Sequence, residues 1–248
     1  MKNPIGSMTA EDLRRNMMRT YFSLRIGIMT LSLALPIVLY GYSVITHGGL
    51  LEGSLSAFYS SDAGAMRNWF VGILWSVGAF LILYKGFSVA ENWLLNLAGS
   101  FVVLTAMTPC NCAVSETGEK SMAHTVFAVS FFACMVAVAI FCAADTLNLL
   151  PKHEQPRFRR AYNALGVLMF LLPAAAVATA YLFGAQDKRV FIIETVAILM
   201  FVIYWGVKSL EFKITSAERK ALYGSLRNVK GVGVVHETPD AERWQRLA

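Results

Sequence analysis

Ser56, Tyr59, Asp62, Arg67, Asn96, His124 and Glu194 stand out as polar or ionisable residues in a chain of 248 residues dominated by apolar side chains. An ionisable group within an apolar helix is costly, so each is a candidate site residue. Arg67 could hold a phosphate or carboxylate, Glu194 an amine or a proton, and His124 carries an imidazole able to exchange protons near neutral pH. Ser56, His124 and Asp62 are also the residue types of a metal-free serine hydrolase, although no nucleophile-elbow motif surrounds the serine.

The four cysteines divide into two pairs. Cys134 and Cys142 lie in an apolar run and read as small packing residues. Cys110 and Cys112, in Pro109-Cys110-Asn111-Cys112, sit in a polar joint. With His124 or Met107 they are an alternative metal site, but Cys-x-Cys alone lacks the ligand number and spacing of recognised zinc sites. Free thiols or a disulfide are expected there, with no metal and no cofactor.

These side chains need elements to hold them. The chain is 56% hydrophobic and only 15% charged, against about 25% charged residues in soluble domains. Apolar runs occupy approximately 24–46, 67–85, 92–109, 122–148, 160–183 and 190–210, bounded by charges, Gly or Pro. Each is near the roughly 20 residues of a helical membrane crossing. None alternates apolar and polar residues as a barrel strand must. The expected fold is all-α: a polytopic membrane protein with six transmembrane helices, both termini cytoplasmic and a short interfacial helix at each end. The expected divisions are 1–22, a cytoplasmic amphipathic segment; 23–212, the six-helix domain; and 213–248, a basic cytoplasmic tail. The first run, preceded by a long charged segment and lacking a small-residue cleavage pattern, does not read as a cleavable signal peptide.

Orientation follows from the basic residues. Lys2, Arg14, Arg15, Arg19 and Arg25 stand at or before the start of the first run. Lys85 follows the second; Lys152, Arg157, Arg159 and Arg160 fill the joint between the fourth and fifth; Lys208, Lys213, Arg219, Lys220, Arg227 and Lys230 attend the end of the sixth. The opposite joints carry mainly Arg67, Lys120, Lys188 and Arg189. The net charge of +6 therefore reads as a topology signal and an inner-leaflet anchor rather than a nucleic-acid footprint. Thr9 with Asp12, and Thr215 with Glu218, resemble capping boxes opening the two flanking helices, and the tail beyond Lys230 reads as loosely ordered.

With both ends inside, runs two, four and six begin at the outer face. Arg67, His124 and Glu194 then share one depth with Thr108 and Pro109, and the joint 53–64, rich in small residues and hydroxyls, leads into Arg67. Such a segment suits folding back into the mouth of the bundle, where protein can satisfy its backbone; an exposed loop is the alternative. Glu194 could pair with Arg67 or Arg189. At the inner face Glu91, Asn92, Asp145, Asn163 and Lys208 form a second set, with Asp145 expected to pair with Arg159 or Arg160. Asp145 lies about 30 Å from His124 along one helix at 1.5 Å per residue, too far for a shared site.

Asn96-Leu97-Ala98-Gly99, Ala123-His124 and Glu194-Thr195, with a serine-rich segment introducing the second run, resemble the six-span DRAM/Frag/Sfk superfamily over about residues 20–212. That resemblance implies a six-helix bundle with cytoplasmic ends and a link to lipid handling, autophagy or glycolipid-anchor maturation. Ser56-Ala57-Phe58-Tyr59 with His124 is also faintly similar to the membrane metal hydrolases that include ceramidases, whose zinc needs three histidines. His47, His124, His153 and His236 place only one histidine well inside a run, which disfavours that chemistry.

Three functional classes remain. The first is an outward-facing polar cavity that binds a lipid headgroup or small amphiphile through Ser56, Tyr59, Asp62, Arg67, Asn96, His124 and Glu194. The second is an ion channel or small-solute transporter, and the third a metal-free Ser/His lipid hydrolase. Membrane lipids are the expected partners, nucleic acid is not, and a homo-oligomer is open because Gly72, Ser76 and Gly78 put small residues along the second run. A bacterial cytoplasmic membrane is the expected location, since no organelle address is apparent.

Overall fold

Thr9 opens the first helix as its spacing to Asp12 predicts. The Asp12 N–H donates to Thr9 Oγ1 at 3.1 Å, and the Thr9 N–H donates to Asp12 Oδ2 at 3.2 Å. The computed structural model describes residues 9–49, 52–60, 64–110, 122–184, 187–229 and 233–236. Helix α1 (Ala10–His47) runs through Pro36 to a left-handed Gly48 at φ 62°, a conformation glycine adopts without a Cβ clash. The amphipathic segment expected as a separate interfacial helix is therefore the first turns of α1. No Gly or Pro lies between residues 10 and 26 to break it.

The other long elements are α2 (Arg67–Leu83), α3 (Val89–Met107), α4 (Ala123–Ala137), α5 (Gln155–Phe183) and α6 (Lys188–Thr215). Beyond α4 the chain continues helically through a π-turn, Val138–Cys142, and a 3-10 stretch, Ala143–Leu149. Five helices are long and apolar enough to cross a membrane: α1, α3, α4 with its continuation to Leu149, α5 and α6. Helix α2 is a shorter apolar helix of 17 residues.

Packing closes the six into a ring. Each helix contacts the next, from α1 on α2 through α5 on α6, and α6 returns to α1. Leu35, Ile73, Val102, Phe131, Met135 and Phe201 are buried in the middle, whereas Trp75, Phe141, Phe170, Leu171 and Leu182 are exposed on the outside. A bundle apolar both within and without belongs in lipid. The tightest approach is between α2 and α3. A Cβ added to Gly99 would lie 2.6 Å from the Gly78 carbonyl oxygen, and one on Gly78 would lie 2.8 Å from the Gly99 carbonyl. Gly78 thus serves contact within the chain, while Gly72 faces open space.

After α6, Ser216 turns left-handed at φ 51° into α7 (Ala217–Leu222). The expected Thr215–Glu218 capping box does not form. Thr215 Oγ1 donates to the Glu211 carbonyl at 2.9 Å and accepts from the Ala217 N–H at 3.3 Å, and the Glu218 carboxylate turns to the buried Arg25 guanidinium on α1. Strand β1 (Leu226–Val229) pairs antiparallel with β2 (Gly233–His236), Leu226 opposite His236. The hairpin rests on the 3-10 stretch Ala143–Leu149, with Val234 buried. Part of the tail expected to be loose is thus docked, and 237–248 lie outside the described residues.

Candidate functional site

At one end of the ring the segment from Glu52 to Ser60 folds back among the helices. Its backbone is satisfied by protein: the Phe191 N–H donates to the Gly53 carbonyl at 3.0 Å, the Leu55 N–H to Glu194 Oε2 at 2.8 Å, and the Ala57 N–H to Ser54 Oγ at 3.1 Å. A 3-10 turn, Ser56–Tyr59, follows. Phe58, 1% exposed, plugs it into the core against Phe191, ring centroids 6.1 Å apart. A buried aromatic anchor and paired main-chain groups are what a re-entrant segment requires.

The turn delivers Ser56 to His124. Ser56 Oγ lies 2.8 Å from His124 Nε2, and His124 Nδ1 lies 2.8 Å from the Thr108 carbonyl oxygen. A carbonyl can only accept, so Nδ1 carries the proton; in the neutral ring Nε2 is then the acceptor for the serine hydroxyl. His124 is 4% exposed. It sits in the first turn of α4, and the Thr108 carbonyl caps the far end of α3, so three separate elements fix this line of hydrogen bonds.

Beside it lies a cavity of about 280 Å³. Ser54, Ser56, His124 and Glu194 are among its polar lining, while Leu74, Val102, Phe131, Phe132 and Ile198 are among its apolar walls. Glu194 stands on α6 with one carboxylate oxygen held by Leu55. An apolar pocket with a few convergent polar groups is the general form of a small-molecule site.

Ser56, His124 and Glu194 are thus brought together. Arg67 is at the same end but does not line the cavity: its Nε donates to the Tyr59 carbonyl at 3.1 Å, and its guanidinium lies over the Tyr59 ring at 4.8 Å. Nor does Arg189 reach Glu194. It pairs with Asp187 Oδ2 at 2.6 Å, and hydrogen bonds from its side chain and backbone hold the Asp187 carboxyl down to about 2. Asn96, on α3, does not line the cavity, and its buried Oδ1 has no hydrogen-bond partner among the described residues. Asp62 and Cys112 lie outside the described residues. The metal alternative meets a disulfide at Cys110 and an imidazole whose two nitrogens already have partners; Cys134 and Cys142 are free thiols.

The opposite end holds a second polar cluster. Glu211, fully buried, accepts hydrogen bonds from Thr146 Oγ1 and Tyr162 OH. Lys208 Nζ donates to Thr146 Oγ1 at 2.8 Å and lies 3.4 Å from Glu211 Oε2. Glu91 is buried nearby and accepts the Phe87 N–H at 2.8 Å. Among the described residues no ion pair joins Asp145 to Arg159 or Arg160. Glu211, Thr146 and Tyr162 escape sequence reading because Glu211 falls just past an apolar run ending near 210; the spacing of Lys208 and Glu211, one turn apart, was the available signal.

The fold and the two polar ends define an integral membrane protein built as a ring of helices around an apolar middle. No family model, no curated protein and no solved structure matches the chain.

Proposed function

We propose that the protein binds an amphiphile, with its polar head against Ser54, Ser56, His124 and Glu194 and its apolar tail in the cavity. The observation that carries this is the cavity itself: about 280 Å³, just under the roughly 300–1,000 Å³ typical of ligand pockets, lined by a few polar groups and otherwise mostly apolar. Arg67 and Tyr59 lie outside its walls and act at the mouth rather than on the bound head. Membrane lipids are the natural ligand source.

The cavity opens toward the outer face in a six-crossing topology with α2 as the short crossing. The two termini of the described chain lie at the other end, where Tyr223 OH donates to Glu11 Oε2 at 2.6 Å and where Arg14, Arg15, Arg19, Lys213, Arg219 and Lys220 gather. Basic residues on that side support a cytoplasmic placement. The same topology agrees with a DRAM/Frag/Sfk-type relationship and with lipid handling. Transport has less support, because Phe131, Met135, Phe201 and Trp205 fill the middle of the ring between the two polar ends.

Native mass spectrometry of gently extracted protein tests this reading. Wild type should retain a lipid that Ala128→Phe, which fills the cavity wall, excludes. Equal lipid retention by the two proteins would sink it.

A further inference from the structure

We propose that Ser56 is the nucleophile of an ester hydrolase site in this cavity, with His124 as its base and the Thr108 carbonyl in the place a carboxylate takes in a serine triad. The inference rests on the amphiphile-binding reading and adds a chemical step to it. A serine hydroxyl is a weak nucleophile until a base within hydrogen-bond reach takes its proton, and the base needs a third group to fix its orientation. Both distances here are 2.8 Å. The main-chain acceptor at Nδ1 leaves Nε2 unprotonated toward Ser56 Oγ, as the step demands.

The surroundings choose the substrate class. Ser56 lines the same cavity as Ser54, His124 and Glu194 and a larger set of apolar side chains, a composition that suits a carboxylic ester of a long acyl chain and a small polar alcohol. Ser56 Oγ would attack the carbonyl carbon while His124 Nε2 takes the hydroxyl proton. Collapse breaks the bond to the alcohol oxygen, and His124 returns the proton to that leaving group. Water then attacks the acyl-serine, its proton passing to His124 and on to Ser56 Oγ as the fatty acid leaves. Glu194, holding the Leu55 N–H one residue before the serine, is a positioning residue.

The test uses the full chain in detergent micelles, treated with an alkyl fluorophosphonate and digested for peptide mapping. The expected result is a phosphonate on Ser56, absent in Ser56→Ala and formed at least about 100-fold more slowly in His124→Gln, the usual scale of general-base help. A wild-type protein that stays unlabelled, carries the label elsewhere, or reacts at Ser56 equally fast without His124 overturns the proposal. The wild-type result decides the matter even where a variant fails to fold. Lipid retention measured on the same wild-type sample separates the two claims: lipid kept without labelling removes only the hydrolase step, whereas neither lipid nor label removes both.

Discussion

Ser56 and His124, 68 residues apart in the chain, meet at 2.8 Å between hydroxyl and imidazole, and this contact ties the re-entrant segment to α4. Replacing His124 by Leu leaves the Thr108 carbonyl and the Ser56 hydroxyl without their partner. Both hydrogen bonds are part-buried and each is worth about 0.5–1.5 kcal/mol, so the variant should lose a few degrees of Tm in detergent. His124→Asn, able to keep one hydrogen bond, should lose less. Equal losses for the two would mean that only the volume of the ring matters.

The α2–α3 crossing makes a sharper steric prediction. Gly99→Ala places a methyl group 2.6 Å from a backbone oxygen, which cannot move aside as a flexible side chain can. A cost of about 1–3 kcal/mol is expected from such overpacking. Gly72→Ala, on the same pair of helices but with nothing within 4 Å, should be neutral or stabilise by up to about 1 kcal/mol through helix propensity. Thermal unfolding of the two single variants checks the contrast.

Much of the helical framework was legible because membrane crossings need long apolar runs, and those runs are visible without partners. The site was legible only in its side chains. Glu194 was expected to meet Arg67 or Arg189, yet each arginine finds a partner close by in sequence, Tyr59 for Arg67 and Asp187 for Arg189. What holds Glu194 is the main-chain N–H of Leu55, and what holds His124 is the main-chain oxygen of Thr108. Every residue carries those groups, so composition cannot point to them. The helix opening at Thr9 was legible, but its continuity with the first apolar run was hidden for a different reason. Polarity changes along that helix where the environment changes, while the backbone hydrogen bonding does not.

Lys208 and Glu211 bear on how buried charge is tolerated. Both are 1% exposed or less and face each other at 3.4 Å. Lys208→Met leaves the carboxylate without its cation and should cost about 3–5 kcal/mol. Adding Glu211→Gln removes the stranded charge and keeps acceptor and donor atoms for Thr146 and Tyr162, so the double variant should regain most of the loss. A double-mutant cycle read by Tm measures the coupling; strictly additive losses would show that the pair does not act as one unit.

Gly233 is where the C-terminal hairpin touches the bundle. Its φ is +92°, and a Cβ there would lie 2.6 Å from the Asp145 carbonyl oxygen in the 3-10 stretch. Gly233→Val therefore suffers twice: a β-branched side chain strains that backbone by about 1–3 kcal/mol, and its Cβ strikes the Asp145 main chain, next to the buried Thr146 and Leu147. The hairpin should lift from Ala143–Leu149 while the ring of helices stays folded. Limited proteolysis of the detergent-solubilised protein should then cut near β2 at least several-fold faster in the variant, with little change in Tm. Unchanged cleavage would mean that the hairpin is not held by this contact.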